Sequence, residues 1–320
     1  MTERAYRPRR TCLAVPGSSP RFLAKARDLA ADEVFLDLED AVAPAQKDAA
    51  RAAVVQALRD GGWRAGTRAV RVNDVSTAWA YRDVIDVTEQ AGEFLDVVVL
   101  PKVTGPGQVT WLDLLLGQVE RAMGYPAGLI GIEAQIEDAE GLAAADAIAA
   151  ASPRLEALVF GPADFMASIG MRSLEIGAQP AGYAGGDAFH YPLLRILVAA
   201  RAHGLQAIDG PYAAIRDTEG LARGAASVAA LGYDGKWVLH PAQVDIVNAA
   251  FSPGQQEYDQ AELLLEAYDF YTNEQGRGAA MLDGQMIDEA SRKLALVAAA
   301  RGRAAGLSRT TRFRPEDGRS

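Results

Sequence analysis

Residues 33–44, EVFLDLEDAVAP, open with an apolar run that reads as a buried strand and end in Asp37, Glu39 and Asp40, packed around Leu38. Unpaired carboxylates beside a core are costly, so either a cation meets them or they stand at an open mouth. The residues that follow, 44–59, are rich in alanine and carry a helical pattern. Whether this unit of strand, acids and helix repeats decides the fold.

It repeats along most of the chain. Short β-rich runs occur at 11–15, 33–37, 68–72, 96–100, 128–133, 156–160, 205–208 and 235–239. Helical stretches lie between them at 44–59, 77–92, 106–123, 139–151, 189–203 and 217–231. Eight strands alternating with helices over about 240 residues predict an α/β fold of the (β/α)₈ TIM-barrel type. A doubly wound open sheet is the alternative, weaker because no G-x-G-x-x-G follows the first strand. Past the eighth unit, helical stretches at 255–275 and 285–302 have no strand between them. They are joined by NEQGRGAAMLDG (273–284), whose small residues predict a mobile hinge. The expected organisation is a barrel over 1–252, a C-terminal helical arm over 253–304 and a disordered tail over 305–320.

With 320 residues, 49% of them hydrophobic, the chain can bury a large core. A net charge of −10 argues against nucleic acid as the main partner, because phosphate binding needs a basic face. Both ends are nevertheless Arg-rich. No apolar run is long enough to span a membrane, and MTERAYRPRR has no signal-peptide-like apolar segment behind it. These features predict a cytoplasmic enzyme. The single Cys12 agrees with a reducing compartment and reads as a core residue.

In a barrel, chemistry belongs at the C-terminal ends of the strands. Those ends read PGSSPRF, DLED, RVND, PKV, EAQIED, GPADF, DGP and LHP in order, so polar groups from nearly every strand converge on one rim. Asp37, Glu39 and Asp40 then stand at the barrel mouth. Glu137 and Asp164 close neighbouring strands, which lie about 5 Å apart, and two such carboxylates repel unless a proton or divalent cation sits between them. Paired carboxylates without His-x-x-His or Cys-x-x-Cys favour Mg²⁺ over zinc. The competing reading is helix capping by Asp138 and a short helix begun by Asp164. Arg71, inside an apolar run, needs an anionic partner. It can hold a substrate carboxylate or polarise a carbonyl, pair with Asp37 or Glu39, or do both. His203 reads as a helix C-terminal residue and His240 as structural; with His190 they are the only histidines. That makes a Ser-His-Asp hydrolase a poor fit. Lys102 forms a Schiff base only if desolvated.

Seven motifs stand in a recognisable order: VPGSSPRFLAKA, DLEDAVAPAQKDAAR, VRVND, PKV, IEAQIEDAEG, FGPADFMASIGM and KWVLHPAQV. In them the chain resembles the HpcH/HpaI aldolase and citrate lyase β-subunit-like superfamily. Within it, YRDVIDVTEQAG, SPRLEALVFGPADFMASIGM and the C-terminal arm are most similar to the malyl-CoA/β-methylmalyl-CoA lyases. The resemblance covers about residues 9–300. It implies a (β/α)₈ barrel that depends on Mg²⁺, with Mn²⁺ as a substitute, and makes or breaks a C–C bond beside a CoA thioester. It places the metal ligands on Glu137 and Asp164 and the substrate-binding arginine on Arg71. Glu39 and Asp40 are counted with the catalytic groups. The arm is expected to cover a neighbouring subunit's site in a homo-oligomer, trimer or hexamer, and to supply Asp288 from GQMIDEAS.

Malyl-CoA would then give acetyl-CoA and glyoxylate, with Arg71 stabilising the thioester enolate and Asp288 moving the α-carbon proton. For CoA the resemblance implies Arg21 and Lys25, with Ala163, Val238 and Leu239 as further cofactor-binding positions and Arg10 as an additional phosphate candidate. Two features depart from the lyase pattern. Ser19 stands where those lyases carry arginine, with Arg21 two places later, and residues 173–192 differ. A malyl-CoA thioesterase, a citramalyl-CoA or citryl-CoA lyase, and a non-catalytic partner subunit are the rival readings. The intact set Arg71, Glu137, Asp164 and Asp288 argues against the last.

Overall fold

The computed structural model describes residues 7–315. Eight parallel strands form a closed barrel in chain order. They are β1 (Thr11–Pro16), β2 (Glu33–Asp37), β3 (Thr67–Arg71), β4 (Val97–Leu100), β5 (Gly131–Ile136), β6 (Leu155–Phe160), β7 (Gln206–Asp209) and β8 (Gly235–Val238). Closure is made by β1 pairing with β8, Cys12 opposite Trp237. Around them run α1 (Pro20–Ala26), α2 (Lys47–Asp60), α3 (Ala80–Ala91), α4 (Pro106–Met123), α5 (Ala139–Ala143) and α6 (Ala145–Ala149). The ring continues with α7 (Pro162–Ser168), α8 (His190–Ala202), α9 (Thr218–Leu231) and α10 (Pro241–Ala250). Four of these helices, α1, α4, α7 and α10, start on a proline, whose missing N–H is harmless in a first turn. The prolines start these helices shortly after β1, β4, β6 and β8 end.

The strands are buried on both faces, as a parallel sheet under helices requires. One set of alternate residues, including Leu13, Val34, Leu36, Val70, Val98, Ile132 and Leu158, joins the large core beneath the helices. The other set, Cys12, Phe35, Ala69, Val97, Val99, Ala157, Val159, Ile208 and Trp237, fills the barrel interior. Cys12 is thus core, as its apolar setting predicted. Beneath this layer the interior turns polar. Arg9, 2% exposed, donates through Nε to Glu33 (2.9 Å), lies 2.6 Å from Glu133 and from Glu156, and bonds Gln206.

Strand five departs from its expected place. The apolar run 128–133 predicts it three residues too early. The backbone N–H groups of Gly128 and Ile130 are instead held by the Glu120 carboxylate (2.9 and 3.1 Å). Pairing with β4 begins only at Gly131, opposite Val97.

The chain divides into two compact units at Phe251/Ser252. The second unit contains α11 (Gln255–Asp269), which runs into a π-helical turn at Phe270–Glu274, and α12 (Glu289–Ala304). The expected mobile hinge between them is a built element: β9 (Ala280–Leu282) and β10 (Gln285–Ile287) pair antiparallel. Asp283 and Gly284 form the turn, with φ of 49° and 76°, the two left-handed positions that an Asp-Gly hairpin turn needs. The tail expected to be disordered is also held as far as Phe313. Thr310 donates to Asp259 (2.8 Å), and the Phe313 ring meets those of Phe270 and Tyr271 at 5.6 and 5.9 Å. Residues 316–320 of that stretch, and 1–6 of the N-terminal sequence, lie outside the described residues. Among the described residues no helix is long and apolar enough to cross a membrane.

Candidate active site

The loop after β2 explains its acids. Asp37, 2% exposed, takes both prongs of Arg71, Nε to Oδ1 at 2.8 Å and Nη2 to Oδ2 at 2.7 Å. It also accepts the backbone N–H groups of Glu39 (2.9 Å) and Ala41 (3.1 Å). Lys47 fastens the same loop by donating to the carbonyls of Leu38 and Glu39, both at 2.8 Å. A bidentate, buried pair of this kind is strongly directional. Arg71 Nη1 lies 3.1 Å from Glu39 Oε2, and the guanidinium sits 5.4 Å from the Trp237 ring centroid. Arg71 is salt-bridged, as one of its two readings expected, and it also lines the cavity at the barrel mouth.

That cavity, about 390 Å³, is bounded by Phe35, Asp37, Asp40, Arg71, Gln135, Glu137, Asp164, Trp237 and Leu239 among others. Glu137, 3% exposed, is aimed by two donors: the Lys102 peptide N–H at Oε1 (2.7 Å) and Gln135 Nε2 at Oε2 (2.6 Å). Burial, helped by the charge of Asp164, pushes its carboxyl up to about 8. Asp164 lies in the first turn of α7 and makes no capping bond, whereas Asp138 caps α5 through Gly141 N–H (2.6 Å). Gly161 makes room for the pair, since a Cβ there would overlap Glu137 and crowd the Gln135 amide. Gln135 Oε1 is buried with no donor partner among the described residues.

This arrangement fits a hard divalent cation. The donors are carboxylate oxygens, Glu137 is buried beside the Asp164 carboxylate, and an orphaned acceptor stands beside them for a coordinated water. No group of three or more His, Cys, Asp or Glu among the described residues is placed to hold a metal ion by itself, so water and substrate oxygens would complete the shell.

Glu39 does not line the cavity; it is buried between Arg71 and Lys102, whose Nζ bonds its Oε1. Asp40 does line it, 3.4 Å from the same Nζ. Burial works against the Lys102 charge, but the bond to Glu39 raises its pKa above the ordinary lysine value. An amine engaged in an ion pair with Glu39 is poorly disposed to act as a Schiff-base nucleophile. Sequence reading missed Lys102 as an orienting group, along with Lys47, Gln135, Gly161 and Trp237. The signals were a lysine straight after the proline that follows β4 and a glycine straight before the proline that opens α7.

A second groove of about 350 Å³ contains Arg21, Phe22, Lys25, Leu29, His240 and Pro241, and it shares Ala14, Pro16 and Leu239 with the first. Arg21, Lys25 and Leu239 thus line one groove, and Ala163 lines the main cavity. Two expected cofactor contacts do not gather. Val238 is fully buried under the helices because β8 turns it outward. Arg10 sits at the opposite, N-terminal end of β1, where its side chain grips Asp32 (2.7 and 2.8 Å). His240 is structural, accepting the Ala242 N–H at 3.1 Å to cap α10. His203 follows the last turn of α8 and His190 opens that helix. Asp288, in the second unit, caps α12 by accepting from Ser291 N–H (2.9 Å).

A parallel barrel that gathers paired carboxylates, a clamped guanidinium and an ammonium at its C-terminal rim is built as a β/α-barrel enzyme. The chain belongs to the HpcH/HpaI aldolase/citrate lyase family, whose model matches residues 10–241. It is 40% identical over 299 residues, 91% of this chain and 93% of the relative, to an L-malyl-CoA/β-methylmalyl-CoA lyase of Cereibacter sphaeroides. It is 35% identical over 280 residues, 88% and 92% of the two chains, to the citrate lyase subunit β of Haemophilus influenzae. Among solved structures it is similar to the protein CitE from Mycobacterium tuberculosis in complex with magnesium, acetoacetate and coenzyme A. That match has a TM-score of 0.72 and 31% identity, covering 93% of this chain and 98% of the other.

Proposed function

We propose that the protein is a Mg²⁺-dependent carbon–carbon lyase acting on a 3-hydroxyacyl-CoA such as malyl-CoA or β-methylmalyl-CoA. The products are acetyl-CoA or propionyl-CoA and glyoxylate, and the reverse condensation uses the same groups. The observation that carries this reading is the Glu137–Asp164 pair facing the same cavity as Arg71. Glu137 and Asp164 would hold the cation, which when bound supplies Lewis acidity and a template for the small acid's oxygens. Arg71, fixed by Asp37, keeps Nη1 and Nη2 hydrogens for a ligand and stabilises charge on the thioester oxygen as the enolate forms. Asp40 and Glu39 hold the rim around it.

The continuity of the two grooves through Ala14, Pro16 and Leu239 supports a long cofactor. Its phosphates would meet Arg21 and Lys25 while its thioester lies at the barrel mouth. Asp288 moves the α-carbon proton. Its Oδ1 is engaged with Ser291, and hydrogen bonds from Ser291 hold its pKa below the ordinary aspartate value. It is therefore ionised and ready as a base, with Oδ2 for the transfer. In this reading it reaches the site of a neighbouring subunit in a homo-oligomer, a trimer or hexamer, within the cytoplasm.

Purified protein given malyl-CoA should release glyoxylate with Mg²⁺ and none with excess EDTA, without free CoA thiol. Asp164→Asn should lose this turnover by at least about 10³-fold while melting normally. Free thiol without glyoxylate would make the enzyme a thioesterase, and wild-type turnover by the variant would refute the metal site.

A further inference from the structure

The backbone at Lys102 is left-handed, φ +51°, a conformation that costs a non-glycine residue energy and persists only where its surroundings enforce it. The enforcement is visible. Gln108 Nε2 donates to the Lys102 carbonyl (3.2 Å), and its Oε1 accepts the N–H groups of Thr104 (2.7 Å) and Gly105 (3.1 Å). The turn so fastened delivers the Lys102 N–H to Glu137 Oε1 (2.7 Å). It sends the side chain back across the rim, where Nζ bonds Glu39 Oε1 and lies 3.4 Å from Asp40 Oδ1 and 3.8 Å from Asp164 Oδ2. Asp37 is already taken by Arg71.

We propose that Lys102 is the positioning residue that allots the rim's carboxylates. Its peptide N–H aims Glu137, and its ammonium occupies Glu39 and Asp40, so that Glu137 and Asp164 are left for a divalent ion. The same ammonium opposes that ion from beside Asp164 and keeps it exchangeable. This rests on the metal site proposed above.

The two halves of the role separate in Lys102→Asn. Asparagine tolerates a left-handed backbone, so the variant keeps the turn and the N–H to Glu137 while losing the ammonium. Mn²⁺ binding, followed by electron paramagnetic resonance and calorimetry without substrate, should become about tenfold tighter, because a positive charge close to the ligands is gone. Lys102→Arg should return it to the wild-type value. Lys102→Gly, which adopts the same φ without strain, should show the same tightening as the asparagine variant. A merely structural lysine gives the opposite sign: its loss loosens the turn and weakens binding. Unchanged or weaker Mn²⁺ affinity in both Lys102→Asn and Lys102→Gly overturns the proposal. Absence of Mn²⁺ binding by the wild-type protein would instead remove the metal site itself.

Discussion

At Gly161 a Cβ would overlap Glu137 Cβ and press on both the carboxylate and the Gln135 amide. Gly161 has an extended backbone, φ −105°, so its need is space and not conformational freedom. Gly161→Ala should therefore displace Glu137 and weaken Mn²⁺ binding by at least about tenfold, a shift of about 1.4 kcal/mol. Calorimetry checks this; unchanged affinity would mean that Glu137 relaxes without losing its aim. Arg71→Lys should be equally informative. A point-charge ammonium cannot reproduce the two-pronged grip on Asp37, so kcat/KM should fall by about 10²-fold or more in the steady-state assay. These residues differ in how readable they were. Arg71, Glu137 and Asp164 stood out because charge at strand ends is chemically conspicuous. Gly161 and Gln135 did not, because what they do depends on a neighbour in space.

The N-terminal ends of the strands carry their own electrostatics. Burial raises the Glu33 carboxyl well above the ordinary glutamate value, and the nearby charge of Glu133 adds to it, against the opposing Arg9. The sign follows directly. Glu33 holds its proton to higher pH in the folded chain than in the unfolded one, so its contribution is complete below the ordinary value near 4.3 and is lost as pH rises. Glu33→Gln, a neutral isostere, lacks that loss. Its melting temperature should gain on the wild type between pH 5 and pH 8, and a pH-independent gap would show Glu33 to be ionised in the fold. Both misread elements have local causes. Strand β5 carries Glu133 and Gln135 facing the barrel interior, so its polar positions looked like a strand end. The Asp283-Gly284 turn was a hairpin signal hidden in a segment whose many small residues read as a joint.

Whether an active site needs more than one chain turns on the role proposed for Asp288. Asp164→Asn and Asp288→Asn proteins should each be inactive alone. Mixed under conditions that exchange subunits, they should regain measurable turnover if each arm serves a neighbour's barrel, and an inactive mixture would place the aspartate in its own chain or out of the chemistry. The alternation of strand and helix, the count of eight and the acids at the strand ends were all legible along the chain. Burial in a parallel sheet demands continuous apolar runs, and a barrel exposes only the strand ends. The primary structure by itself determined the barrel, its active end and the identity of the charged groups there. Only the tertiary structure decided which carboxylates are spent on Arg71 and Lys102 and which are left free. Such pairings join residues far apart in the chain, Asp37 with Arg71 and Glu39 with Lys102. They depend on distances of a few ångströms that no sequence spacing encodes.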